Sequence, residues 1–279
     1  MRQNHPQQES QRSGSIDLTS SEVHAQDNRS SELSQICDNL NEEGRKYMDA
    51  SDFKRARRQA GLSQQKAAAE LGVSQSYLSM LENGQRALSG ELARRMVRVY
   101  KLSPASLPPS TQRWLPKRVR PGRLATNLAG LGYPGFAYLR KRGPRVYPGE
   151  VLLTALSQES LEARQFEALP WLMLRYWNLD QDWLVEQAKL HDLQNRLGFV
   201  VSLARKAGGR AGSLNPPRNE ALKALESTLR RSLLAREEGF GKLTRNVAEH
   251  NWLKKHRSRA ARDWHVLTNW RPEALRYVP

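Results

Sequence analysis

The stretch LSQQKAAAELGVSQSYLSMLENG, Leu62 to Gly84, restricts the fold more than any other part of this chain. It holds two serines eleven residues apart, a glycine between them and a glycine at its end. Ser63 precedes QQKAAAEL and can accept a hydrogen bond from the unpaired N–H groups of a first helical turn. Gly72 then stands where a left-handed residue closes a helix. Ser74 caps a second short helix, QSYLSMLEN, and Gly84 ends it. Ala67, Ala68 and Leu71 fall on one side of the first helix, and Val73, Leu78 and Leu81 face them from the corner and the second helix. A residue as small as Ala68 lets two backbones cross steeply. The pattern predicts two helices fixed at a tight corner, the second presenting a polar tip.

That arrangement is the helix-turn-helix, whose second helix enters the DNA major groove. From Phe53 to about Leu107 the sequence FKRARRQAGLSQQKAAAELGVSQSYLSMLENGQRALSGELARRMVRVYKLSPASL resembles the lambda Cro/CI (Xre) class of DNA-binding domains. The resemblance covers about a fifth of the chain and says nothing of the residues beyond Leu107. It implies that Gln64 grips a phosphate with its amide and that Gln75, Ser76 and Met80 face base edges. Gln75 suits a bidentate contact to adenine, and Met80 suits a thymine methyl. Tyr77 and Ser79 add hydroxyls for phosphate or base contacts, and Ser74, Asn83 and Gln85 complete the expected DNA-binding set. The resemblance also pairs Arg57 with Glu82, which we read as structural, since removing one partner would strand the other charge. Ala56 and Ala67 depart from it, because the class usually places larger aliphatics there; either the core is looser at this point or Phe53 and neighbouring segments fill the gap.

Charge points the same way. The chain of 279 residues carries a net charge of +17. Residues 1–50 hold five Lys/Arg against nine Asp/Glu, so the excess lies in the remainder. Residues 51–101 alone hold ten Lys/Arg against four Asp/Glu, as a phosphate-gripping module requires. Such a field attracts polyanions, nucleic acid before a membrane surface or an acidic protein. A single cysteine, Cys37, rules out an internal disulfide and suits a reducing compartment. The N-terminus has no apolar core for a signal peptide, and no stretch approaches the roughly 20 apolar residues of a membrane span, so we expect a cytoplasmic protein with no membrane partner.

The composition divides the chain into four parts: a disordered or weakly helical extension over 1–48, the helix-turn-helix domain over 49–108, a basic Pro/Gly-rich linker over 109–149, and a helical domain over 150–279. Within the first, Leu33, Ile36 and Leu40 recur at helical spacing. Between Arg113 and Arg145 there are nine Lys/Arg and no acid, which suits either a basic arm along DNA or an extended linker. After Gly149 the pattern predicts two helices separated by Pro170, then one long helix through QDWLVEQAKLHDLQNRLGFVVSLARKAG, then a helix over Arg218–Leu234 and a basic tail bearing Trp252, Trp264 and Trp270. Leu190, Leu193, Leu197, Val200 and Ala204 form a seam that fits a dimer interface or packing within the domain equally well. Trp171, Trp177 and Trp183 read as core.

The predicted fold is therefore all-α: a five-helix Cro/CI-type domain, a basic linker, and a separate helical domain. No catalytic cluster is visible. His191–Asp192 lacks the further histidines a metal phosphohydrolase needs, GFGKLT at Gly239–Thr244 lacks the spacing of a phosphate loop, and there is no GxSxG elbow. We expect no cofactor, no metal and no enzymatic activity. The functional expectation is a sequence-specific transcriptional regulator, with double-stranded DNA as partner and binding as a homodimer. An antitoxin-type autorepressor whose C-terminal domain holds a partner protein, and a helical enzyme with a DNA-targeting module, are the alternatives.

Overall fold

The computed structural model describes residues 50–107, 109, 114–241 and 246–279. The N-terminal extension and its Leu33–Leu40 spacing lie outside the described residues. The rest is mostly helical with almost no strand, as predicted. Four helices, α1 (Ala50–Gln59), α2 (Gln64–Leu71), α3 (Gln75–Glu82) and α4 (Gly90–Val99), are followed by a 3-10 turn at Pro104–Ser106, which makes five helical segments. Serines start α2, α3 and α4: Ser63, Ser74 and Ser89 each accept a hydrogen bond from the backbone N–H three residues on. Phe53, Ala56 and Ala67 are all buried, so the small residues are enclosed rather than left facing a gap.

Residues 109–149 carry more structure than the linker expected there. Helix α5 (Pro121–Gly130) and the helical turns Pro134–Arg142 fold against each other. They bury Leu124, Leu128, Leu131, Tyr133 and Phe136. Prolines at the first helical position explain the misreading: Pro121, Pro134 and Pro148 begin helical segments, where the missing N–H is no loss. The glycines serve close approach. A Cβ on Gly130 would lie 2.3 Å from the Pro144 carbonyl oxygen, and one on Gly143 only 2.3 Å from the Gly130 nitrogen.

The remaining helices are α6 (Pro148–Leu156), α7 (Ala163–Arg175), α8 (Gln181–Leu190), α9 (Gln194–Arg210), α10 (Pro216–Arg230), α11 (Val247–His256) and the short α12 (Arg259–Asp263). Helix α9 is the centre of this body and packs against α7, α8 and α10. Two corrections apply. Pro170 does not separate two helices; it lies buried inside α7, and the break falls earlier, at 157–162. The stretch read as one long helix is two, interrupted at His191 and Asp192, the latter with φ +56°. The apolar seam is internal packing: Leu193, Leu197, Val200 and Ala204 are buried, while Leu190 is exposed. The only strands among the described residues are a two-residue parallel pair, β1 (Glu238–Gly239) and β2 (Val266–Leu267).

The tail is part of the core. Trp264 is fully buried, donates from its ring N–H to the Ser202 hydroxyl at 2.8 Å, and lies under the Arg230 guanidinium. Trp270 stacks on Phe166 with ring centroids 4.4 Å apart, and only Trp252 projects into solvent. Trp171 is buried, with Trp177 and Trp183 packed at the edge of the core. The 3-10 turn Pro104–Ser106 packs on α6, so the apolar core is continuous from Phe53 to Val266. No helix among the described residues is long and apolar enough to cross a membrane.

Candidate nucleic-acid interface

The corner between α2 and α3 is built as the caps dictate. Gly72 adopts φ +66°, ψ +38°, a left-handed conformation at which a side chain is strained. The N–H groups of Gly72 and Val73 return to the carbonyls of Ala69 and Ala68. Arg95, from α4, donates to the Leu71 carbonyl at 2.8 Å and braces the corner from behind. Below it, Ala67, Ala68, Leu71, Leu78, Leu81, Met96 and Val97 close a small core. The far end of α3 is finished by Gly84 at φ +73° and by the Gln85 N–H, which donates to the Met80 carbonyl.

One ion pair locks the recognition helix to α1. Arg57 donates from Nε to Glu82 Oε1 at 2.6 Å and from Nη2 to Oε2 at 3.0 Å, and the Arg57 side chain is 9% and the Glu82 side chain 1% exposed. A two-pronged charged contact of this kind fixes direction as well as distance. The hydrogen bond to Glu82 raises the Arg57 pKa further above its ordinary value, against the opposing effect of burial. Arg57 also donates to the Leu62 carbonyl at 2.9 Å, tying the loop before α2 into the same unit. Tyr100 is buried beside this pair, and burial pushes its hydroxyl pKa up.

From this anchor a chain of amides runs outward. Gln64 donates from Nε2 to Glu82 Oε2 at 3.2 Å, and its Oε1 accepts from Gln75 Nε2 at 3.4 Å. Gln75 is exposed at the first position of α3, so a surface side chain is oriented by a buried charge two steps away. Ser76 is exposed beside it; Tyr77, Ser79 and Met80 are half-buried; Asn83 and Gln85 are exposed beyond the helix end. The Ser74 oxygen is engaged in the cap with the Tyr77 N–H, which leaves its hydroxyl hydrogen free to donate. The nine residues expected at the interface thus gather around α3 and the start of α2. Sequence reasoning missed the Arg95 brace and the inward half of the Gln64 contact. Nothing in the spacing of Arg95 marks the first, and Gln64 carried a signal only for its outward amide.

A short helix, capped at both ends, braced from behind and held by its last residue to the opposite wall, defines a helix-turn-helix domain of the DNA-binding, transcription-regulator class. Residues 53–107, about a fifth of the chain, match the helix-turn-helix family model, which makes that segment similar to Cro/CI-type (Xre) domains. That family is one of DNA-binding regulators rather than enzymes. Neither a curated protein nor a solved structure matches the chain.

Elsewhere, His191 makes a hydrogen bond through Nε2 with the Trp114 carbonyl oxygen at 2.9 Å and meets its ring edge-on, a packing contact. No cluster of three or more His, Cys, Asp or Glu that could hold a metal occurs among the described residues.

Proposed function

We propose that this chain is a sequence-specific transcriptional regulator that reads the major groove with residues 75–83. The observation that carries the reading is the exposed Gln75 amide, held through Gln64 on the buried Arg57–Glu82 pair. A side chain kept in one orientation loses little freedom on meeting a base edge, and an oriented glutamine matches the N6/N7 edge of adenine. Ser76 and Met80 read neighbouring base pairs, while Gln64, Ser74, Tyr77, Ser79, Asn83 and Gln85 contact base edges or the backbone around them. The chain binds as a pair on two-fold sites with half-sites about one helical turn apart. The body beyond residue 149 joins the two copies or holds a partner protein.

Selection of bound fragments from random duplex DNA tests this reading, because it reports both preference and site symmetry. On the selected site Gln75→Ala should weaken binding by about 1–3 kcal/mol, with little change on random duplex. Equal losses on both would show that Gln75 does not read sequence.

A further inference from the structure

Most of the positive charge lies outside the helix-turn-helix. Residues 102–279 hold thirty Lys/Arg against fifteen Asp/Glu, a larger excess than that of residues 51–101. Much of it is neutralised where it stands: Arg196 meets Glu238, Arg205 meets Glu226, Arg236 meets Asp192 and Arg257 meets Glu237. Arg140, Arg145 and Arg175 differ. All three are exposed, and none of them is bridged to a carboxylate among the described residues.

These three come from different elements and converge on one point. Arg140 lies in the helical turns Pro134–Arg142, Arg145 in the loop before α6, and Arg175 at the last position of α7. Their common neighbour is Tyr176, whose buried hydroxyl donates to the Leu131 carbonyl at 2.7 Å. Burial pushes the Tyr176 pKa up to about 12, and the positive fields of Arg175, Arg145 and Arg140 each pull it back. The Arg140 guanidinium reaches across Gly132, where φ is +91° and a Cβ would lie 3.4 Å from Nη2. Tyr138, on the same turns as Arg140, is 73% exposed. Three like charges around one tyrosine repel one another, none of them is bridged to a described carboxylate, and a row of phosphates would offset that repulsion.

We propose that Arg140, Arg145 and Arg175 form a second phosphate-binding surface, outside the helix-turn-helix, that grips the backbone of duplex DNA. The inference rests on the reading of the chain as a duplex-DNA binder. This surface carries no sequence information; it adds affinity and salt dependence. Arg140 and Arg145 of the acid-free run, which suits either a basic arm or an extended linker, thus act with Arg175 from folded elements.

The test is the salt dependence of binding by the full chain to a labelled random-sequence duplex, read by fluorescence anisotropy. Replacing the three arginines by glutamine should make the slope of log K against log salt shallower by about 2–3, roughly 0.9 for each phosphate no longer neutralised. Arg145→Gln alone should remove about 0.9. The triple lysine variant, which keeps the charge, should retain the parent slope. A glutamine triple with the parent slope overturns the second surface while leaving the regulator reading intact. So does a loss seen only on single-stranded RNA or on anionic lipid vesicles. A parent chain that binds no duplex at any salt overturns both.

Discussion

The Arg57–Glu82 pair gives the sharpest test of how the reading helix is held. Arg57→Met takes from Glu82 two charged hydrogen bonds, of 2.6 and 3.0 Å, and leaves only the Gln64 amide at 3.2 Å on a carboxylate whose side chain is 1% exposed. Breaking a buried pair in this way destabilises by about 3–5 kcal/mol, because the survivor stays charged without its partner. Glu82→Leu strands Arg57 with the Leu62 carbonyl and should fall in the lower part of that range, since a guanidinium can swing its long stem toward water. The double variant removes both charges and should recover most of the loss, leaving about 1–2 kcal/mol, a strongly non-additive cycle. Urea denaturation followed by far-UV circular dichroism measures it, as a shift in midpoint at constant slope. Single variants within about 1 kcal/mol of the parent, or a double variant whose loss equals the sum, would refute the reasoning. The double variant separates stability from readout as well. It has lost the anchor of Gln64, so discrimination of the selected site should stay impaired although the fold is restored.

Two further outcomes are expected in the body of the molecule. Gly198→Ala puts a Cβ 2.2–2.4 Å from three ring atoms of Trp264, which is held by Ser202 and Arg230 and cannot retreat; it should cost about 3 kcal/mol, at the upper end for overpacking, and disturb the near-UV circular dichroism of the tryptophans. Tyr176 has its pKa raised to about 12, while an unfolded tyrosine ionises near 10, so between those values the folded chain keeps a proton the unfolded chain has lost. That contribution is fully present below about pH 10 and is lost as pH rises through about 12, some 2–3 kcal/mol in all. Tyr176→Phe should flatten the fall in thermal midpoint over that interval while lowering stability by about 1 kcal/mol at neutral pH, where the Leu131 carbonyl loses its donor; an unchanged alkaline slope would count against the assignment.

The parts of this fold that were legible in the sequence are those whose causes are local. Ser63, Ser74 and Gly72 act on groups within four residues, so their identities predict the α2–α3 corner without knowledge of the rest. The partners Arg57 and Glu82, 25 residues apart, came from family likeness; spacing alone carries no such message. The misreadings are places where tertiary packing overrode a local rule. Pro170 should break a helix, yet it sits buried in α7, whose burial from Gln165 to Leu174 offsets the lost backbone bond. The heptad-like spacing from Leu190 to Ala204 runs unbroken through the turn at His191–Asp192, because Leu193 onward keeps the register while Leu190 is exposed. Residues 109–149 looked like a linker because glycine and proline are ambiguous between loop and close packing. Only the partner, such as the Pro144 carbonyl against Gly130, decides between them.

The division of charge and of polar side chains implies a division of labour in binding. Base-edge contacts from a helix of eight residues discriminate by about 1–3 kcal/mol each, and on the proposed reading they fall to Gln75, Ser76 and their half-buried neighbours. Such a set cannot by itself hold a protein on one site among a genome of competitors. Two resources offset that shortage. On the proposed reading, pairing would double the number of bases read, and the proposed arginine surface would raise affinity for any duplex, so that the search is confined to DNA before sequence is tested. The packing of the Pro104–Ser106 turn on α6 joins the two, since it carries the core of the reading domain into the body that bears Arg140, Arg145 and Arg175. A flexible tether would let each surface bind phosphate independently. A packed joint would make the proposed arginine surface constrain where, relative to the helix, the DNA backbone must run.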